Sequence, residues 1–213
     1  MGKQRSDGRA GTRPRHRFAP KTKREPSARD YREGWAPAGR ALRLGGWDGK
    51  VPAVNVREAR AEDAGAMASV IAIVAEEGVL LIEPPVEIEA RAKRFREVIE
   101  GESRAKLWVL EHERRLVGDG GVLETSADGV LSVAIAILPD ARGIGGGRAL
   151  LEVIVAYAFS CGAHKLELEV WPDNTRAIGL YESAGFEAEG LRRNHYRRRD
   201  GTLRSALVMA RGL

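Results

Sequence analysis

A mixed α/β domain, with a central, mostly antiparallel sheet that contains one parallel crossover and is flanked by helices, is the fold class this sequence predicts. Three observations carry it. An apolar strand ending at Ile137 and Leu138 feeds a glycine-rich turn, a helix-forming run and then an alternating strand, and strand, helix, strand in that order is a parallel crossover unit. Upstream, Leu107–Leu110 and Val117–Glu124 flank the polar turn Glu113-Arg114-Arg115 and read as an antiparallel pair. A hydrophobic content of 43% over 213 residues suits a soluble core of ordinary size plus an appendage.

The elements follow in order. Val54–Glu58 suggests a short first strand. Ala61-Glu62-Asp63 opens a helix with acids in its first turn, where they complement the helix dipole. That helix runs to about Glu77 with Met67, Val70, Ile71 and Val74 on its buried side. A loop containing Glu83-Pro84-Pro85 leads to a second amphipathic helix, Glu87–Glu100, whose apolar contacts are Ile88, Phe95, Val98 and Ile99. The antiparallel pair comes next, then the strand Val130–Leu138. Leu150, Leu151, Ile154, Val155 and Ala158 recur at helical spacing, so a helix spans about Gly147–Cys161 and stops at Gly162. Lys165–Trp171 alternates in period two and is closed by Pro172. A further helix begins near Asn174 and ends before Gly185, with Ala177, Ile178, Leu180 and Tyr181 as its apolar content. Arg192 onward reads as a strand end, a turn at Asp200-Gly201 and a final strand, Ser205–Ala210.

The turn after Leu138 carries the chemistry. A glycine-rich turn into a helix N-terminus presents unpaired N–H groups and the positive end of a helix dipole, which suits a phosphate. It is not a P-loop, because Gly147 is followed by Arg148 and Ala149 rather than Lys and a hydroxyl. It is not a dinucleotide fingerprint either: counting from Gly143 or Gly145, Arg148 or Leu150 stands where glycine or alanine is needed. What remains is Arg142-x-x-Gly145-x-Gly147, in which the glycines let backbone approach a diphosphate while Arg142 and Arg148 add charge.

This loop resembles the pyrophosphate-binding loop of the GNAT N-acetyltransferases. The segment Glu169-Val170-Trp171-Pro172-Asp173-Asn174, then Ala177, then Leu180-Tyr181-Glu182-Ser183-Ala184-Gly185-Phe186 is similar to the downstream half of the same signature, in the same order. The likeness covers roughly Val54 to the C-terminus and is sharpest over Val130–Phe186. It implies a GNAT fold, acetyl-coenzyme A as cosubstrate, no metal, and acetyl transfer to a primary amine on a protein N-terminus or a small molecule.

The resemblance also assigns residues. Gly143, Gly145, Gly147, Arg142 and Arg148 would hold the diphosphate; the backbone of Ile137 and Leu138 would pair with the pantetheine arm like an added strand. Asn174 would contact the same arm, and its position also suits a helix N-cap. Tyr181 would donate a proton to the departing thiolate, against the alternative of an aromatic core residue. Glu167 and Glu169 share one strand face. Glu169 resembles the base of ribosomal-protein alanine acetyltransferases, with another carboxylate, a held water or a plain surface charge as its alternatives. Glu83, with Leu81, Ile82 and Pro84, would line the acceptor entrance, and Tyr196 after Arg192-Arg193-Asn194 resembles the same enzymes, though polyamine and small-amine acetyltransferases end alike.

Composition sets the remaining bounds. The net charge of +5 is asymmetric: residues 1–50 hold 14 Lys/Arg against 5 Asp/Glu, with Pro14, Pro20, Pro26 and Pro37 and no apolar periodicity. The stretch reads as a disordered basic tail preceding a domain over 51–213. It could touch nucleic-acid phosphates weakly, with His16, Phe18 and Tyr31 available for stacking, or be a solvated arm or a start assigned too early. An alternative function is therefore an acetyl-coenzyme A-binding, non-catalytic module docking on RNA or a ribosome through that arm. The lone Cys161 allows no intrachain disulfide. No apolar run or secretory segment is evident, so a cytoplasmic protein without membrane contact is expected, and pairing as a homodimer is left open.

Overall fold

Strand pairing follows the apolar alternation. The computed structural model describes residues 54–213, so the basic tail of residues 1–50, with His16, Phe18 and Tyr31, lies outside the described residues. The elements are β1 (Asn55–Glu58), a 3-10 turn (Ala61–Asp63), α1 (Ala64–Glu76), α2 (Ile88–Glu100), β2 (Lys106–His112) and β3 (Arg115–Glu124). There follow β4 (Val130–Ile137), a 3-10 turn (Pro139–Ala141), α3 (Gly146–Ser160), β5 (Lys165–Val170), α4 (Thr175–Ser183), β6 (Glu187–Arg197) and β7 (Leu203–Gly212). One sheet takes them in the order β1-β2-β3-β4-β5-β7-β6, antiparallel throughout except for β4 against β5. This is the mixed sheet with one parallel crossover that the sequence predicts.

The parallel pair is short. Val130, Leu131 and Ser132 pair with Lys165, Leu166 and Glu167; beyond Ser132, β4 runs on to Ile137 paired with β3 alone. The two strands part there and leave an open edge in mid-sheet. Each face of the sheet has its own helices. On one, α1 buries Met67, Val70, Ile71 and Val74 against Val109 of β2 and Ala136 of β4, with Phe95 of α2 packed alongside. On the other, α3 buries Leu150, Leu151, Ile154 and Ala158. There Gly120 of β3 is bare because a Cβ would stand 3.1 Å from Ile135 and 3.4 Å from Ile154.

Several boundaries differ from the sequence reading, the final strand among them, which runs Leu203–Gly212 rather than Ser205–Ala210. The first helix opens as a 3-10 turn whose Asp63 reaches back to Arg60 N–H at 2.7 Å and pairs with Arg57 at 2.7 Å, tying β1 to the helix start. α3 begins at Gly146 rather than Gly147. β6 is a full strand from Glu187, not only the end near Arg192. As the edge strand it has no fully buried position, so the period-two apolar signal that marks a strand is absent from its sequence.

Candidate active site

The open edge of β4, the turn after it and α4 together bound a cavity of about 370 Å³. At its floor, the first intrahelical bond of α3 is Ala149 N–H to Gly145 carbonyl at 3.1 Å, so the N–H groups of Gly146, Gly147 and Arg148 have no helical acceptor. The glycines serve two different ends. Gly143 and Gly145 sit at φ of +84° and +89° with nothing where a Cβ would go; only their backbone conformation demands glycine. Gly146 and Gly147 are required by packing: a Cβ on Gly146 would strike the Leu110 side chain, and one on Gly147 would stand 2.8 Å from Leu180. Gly146 was not singled out from the sequence, since the spaced Gly145-x-Gly147 pattern drew the reading past it.

Arg142 lines this cavity but is already engaged. Its Nε donates to the Ile137 carbonyl at 3.0 Å, and its terminal nitrogens pair with both carboxylate oxygens of Glu77 at the end of α1. Arg148 is exposed on the cavity rim. Leu138 departs from expectation: its N–H donates to Val117 at 2.8 Å and its carbonyl accepts from Ala141 at 3.0 Å. Backbone groups alternate sides along a strand, so Ile135 and Ile137, not Leu138, turn theirs away from β3 toward the cavity.

Tyr181 of α4 lines the same cavity, only 7% exposed, with its ring 5.8 Å from Phe186. Burial pushes its phenol up to about 12, so it stays protonated. Asn174 caps α4, accepting from Ala177 N–H at 3.2 Å, while its amide donates to the Val79 carbonyl at 3.4 Å. The N-cap role anticipated for it is therefore observed.

That last bond is one of a series. The loop between α1 and α2 is held down carbonyl by carbonyl by side chains from β5 to β7. Gly78 accepts from Arg204 at 3.4 Å, Val79 from Asn174, Leu80 from Trp171 Nε1 at 2.9 Å, and Leu81 from Arg198 at 3.1 Å. Trp171 is fully buried, with the guanidinium carbons of Arg204 and Arg198 at 4.1 and 5.5 Å from its ring centroid, two cation–π contacts on one ring. Glu83 accepts from Arg199 N–H at 3.0 and 3.1 Å and lies 3.6 Å from Arg198. It is thus a fastening of the loop to the β6–β7 turn rather than a free carboxylate.

Glu169 and Tyr196 meet across the same face. Tyr196 Oη donates to Glu169 at 2.9 Å, Arg192 pairs with the other oxygen at 2.8 Å, and the Tyr196 ring meets Trp171 edge-on at 5.4 Å. Burial, then the bond to Glu169, push the Tyr196 phenol up to about 12. The structure therefore gathers two groups: the glycine turn, Arg142, Asn174 and Tyr181 around the cavity, and Glu83, Glu169 and Tyr196 around Trp171. Trp171, Arg198 and Arg204 were missed because their partners lie some ninety or more positions away in the chain. A larger groove of about 1130 Å³ between α3, α4 and the far ends of β5 to β7 shares Arg148, Leu180 and Ser183 with the cavity but none of these other groups. Among the described residues no group of three or more His, Cys, Asp and Glu side chains gathers as a metal site, and no helix is long and apolar enough to cross a membrane.

Both the sequence and the fold are similar to those of known proteins. Over 76 residues the chain is 45% identical to the [ribosomal protein bS18]-alanine N-acetyltransferase of Escherichia coli K12, a match spanning 36% of this chain and 51% of that protein. The chain thus spans about half the length of the curated relatives it matches first. Its fold is like that of the ribosomal-protein-alanine N-acetyltransferase of Brucella melitensis, with a TM-score of 0.68 at 22% identity over 75% of this chain and 99% of that one. A phosphinothricin acetyltransferase from Sinorhizobium meliloti, solved with acetyl-coenzyme A, gives 0.63 at 22% identity over 75% and 88%. The sequence model of the acetyltransferase (GNAT) family matches residues 74–186, more than half of the chain, and the protein belongs to that family.

Proposed function

We propose that this protein transfers the acetyl group of acetyl-coenzyme A to a primary amine, with a polypeptide N-terminus as the favoured acceptor and small amines as the second class. One observation carries the reading: the unpaired N–H groups at the start of α3 and the protonated phenol of Tyr181 line a single cavity beside the open edge of β4. The residues fit the donor. Gly143 and Gly145 leave open space where any side chain would stand, and three helix-start donors match a diphosphate. When bound, acetyl-coenzyme A supplies an activated thioester carbonyl.

The residues divide the work. Backbone N–H groups of Gly146, Gly147 and Arg148 bind the diphosphate, and Arg148 adds charge. Ile135 and the N–H side of Ile137, whose carbonyl is taken by Arg142, offer their strand edge to the pantetheine arm. Asn174 keeps the α4 start and the acceptor loop in register. Tyr181, at about 12, is a weaker acid than a free thiol near about 8.5. It acts by hydrogen-bonding the sulfur as negative charge develops there, with the proton itself completing its transfer from solvent. Glu169 faces the acceptor side already paired with Arg192 and Tyr196.

The polypeptide preference is supported by the relatives' named activity, which also supports a cytoplasmic location. A thiol-release assay with acetyl-coenzyme A across N-terminal peptides and small amines tests it. Turnover on at least one acceptor is expected; tight cofactor binding without turnover on any would replace it with a binding module.

A further inference from the structure

Cross-strand register shows which residues share the acceptor face. Residues directly opposite in a sheet point the same way, and Asp119 lies opposite both Val109 of β2 and Ala136 of β4. Ala136 packs under α1, in a cluster where Leu80 and Ile82 of the acceptor loop also pack. By the same rule Gly121 and Leu123 of β3, Ala134 and Ser132 of β4, and Glu167 and Glu169 of β5 lie on this face. Ala134 and Leu123 are exposed. The face is therefore an open floor of mostly small side chains beside the β4–β5 parting, with Glu169 on its outer side and Asp119 at its inner end.

Asp119 is the odd member. It is 5% exposed, yet its Oδ2 has no hydrogen-bond partner. Nearly every buried polar group in a protein is satisfied, so an orphaned carboxyl oxygen beside a ligand cavity calls for an explanation. The groups facing it are few. α1 presents Met67, Val70, Ile71 and Val74; β2 and β4 present Val109 and Ala136. Among the described residues α2 presents the one charge acting on Asp119, that of Arg91, half-buried and itself near Arg94. The Arg91 backbone N–H bonds the Glu87 carbonyl at 2.9 Å, while its guanidinium forms no ion pair with Asp119. Burial outweighs its pull and raises the Asp119 carboxyl to about 8, while Glu169 stays fastened between Arg192 and Tyr196. Ala136, the residue directly opposite Asp119 in the sheet, lines that cavity.

We propose that Asp119 is the proton acceptor for the incoming amine, reached through one water past Ala136. The step balances simply. The acceptor ammonium gives one N–H proton through that water to Oδ2 of Asp119; the freed nitrogen lone pair forms the C–N bond as the C–S bond breaks, the nitrogen releases its second N–H proton to solvent, and the departing thiolate, hydrogen-bonded by Tyr181, takes a proton from solvent. Glu169 then orients Tyr196 and Arg192 at the rim. The proposal rests on the amine-acetylation reading and assigns to it a base that the family motifs do not mark.

The test compares wild type, Asp119→Asn and Asp119→Ala. Both variants are expected to lose about 100-fold in kcat/KM near pH 8, within the range for loss of a general base, with the acetyl-coenzyme A Kd unchanged within about twofold. A second measurement needs no activity. A carboxyl raised in the folded state holds an extra proton between its unfolded value near 3.8 and about 8, so its stabilising share is complete below that window and is lost as pH climbs through it. The wild-type Tm is therefore expected to fall relative to that of Asp119→Asn between pH 5 and 8. Equal pH slopes in Tm, or an Asp119→Asn enzyme with more than half of wild-type kcat/KM and an unchanged pH profile, overturn the proposal. A wild type that acetylates no amine while showing the Tm slope instead sinks the proposed function and leaves the buried acid standing.

Discussion

The donor and acceptor sides of this protein are built on opposite principles. The donor side is made of backbone: a glycine turn, the unpaired N–H groups of α3 and the free edge of β4, all within a dozen or so consecutive residues. The acceptor side is made of side chains. Four consecutive carbonyls of the α1–α2 loop are held by Arg204, Asn174, Trp171 and Arg198 from the other half of the chain. A backbone site suits a ligand common to a family, because its geometry survives any side-chain change outside the glycines. A side-chain site can be respecified one residue at a time, which suits the part that chooses the amine. Two contacts cross between them: Arg142 of the donor turn against Glu77, where the acceptor loop begins, and Asn174 of the cavity against the Val79 carbonyl.

The division can be broken deliberately. Trp171→Ala removes the ring that Arg204 and Arg198 both contact and the Leu80 anchor. A loss of about 3–5 kcal/mol in unfolding free energy is expected, together with a rise in acceptor KM, while the acetyl-coenzyme A Kd stays put in calorimetry. A large change in cofactor affinity would show the two sides are not separable. Tyr181→Phe is expected to lower turnover by about 10-fold or more at saturating donor, with cofactor binding unaltered; unchanged turnover removes it from the mechanism. Arg142→Ala with Arg148→Ala should raise the cofactor Kd by about 10-fold, equivalent to about 1.4 kcal/mol, and leave acceptor KM alone. The smallest effect sharpens the comparison most. Glu77→Gln frees Arg142 for the diphosphate and is expected to tighten cofactor binding by about 3-fold, the scale of a partly exposed ion pair. Weaker binding would mean that Glu77 positions the turn rather than competing for its arginine.

Much of the donor side was legible because its signals are local. A strand, a turn needing positive φ and a helix start sit side by side, and each has a residue preference readable at its own position. Even there the reading stopped at conformation: Gly145 is dictated by φ, but Gly146 by the Leu110 side chain from β2, which no local pattern contains. Leu138 misled for a related reason. Alternation along β4 was visible, yet which alternate residues turn toward β3 depends on register with Val117.

On the acceptor side the residues were visible and their duties were not. Glu83 reads as an entrance carboxylate until Arg199 and Arg198 are seen to occupy it. Glu169 reads as a free base until Tyr196 and Arg192 close on it. Asp119 carries no signal at all, since a single acid among Gly118, Gly120 and Gly121 looks like an ordinary polar strand position.

By itself, then, the sequence determined the mixed sheet, its parallel crossover and the anion-binding turn, because hydrophobic period and glycine conformation act over neighbouring residues. The tertiary structure alone decided which arginine is engaged, which strand edge is open and which carboxylate lacks a partner. Those outcomes depend on packing between segments distant in the chain, where one residue of register moves a side chain from one face of the sheet to the other.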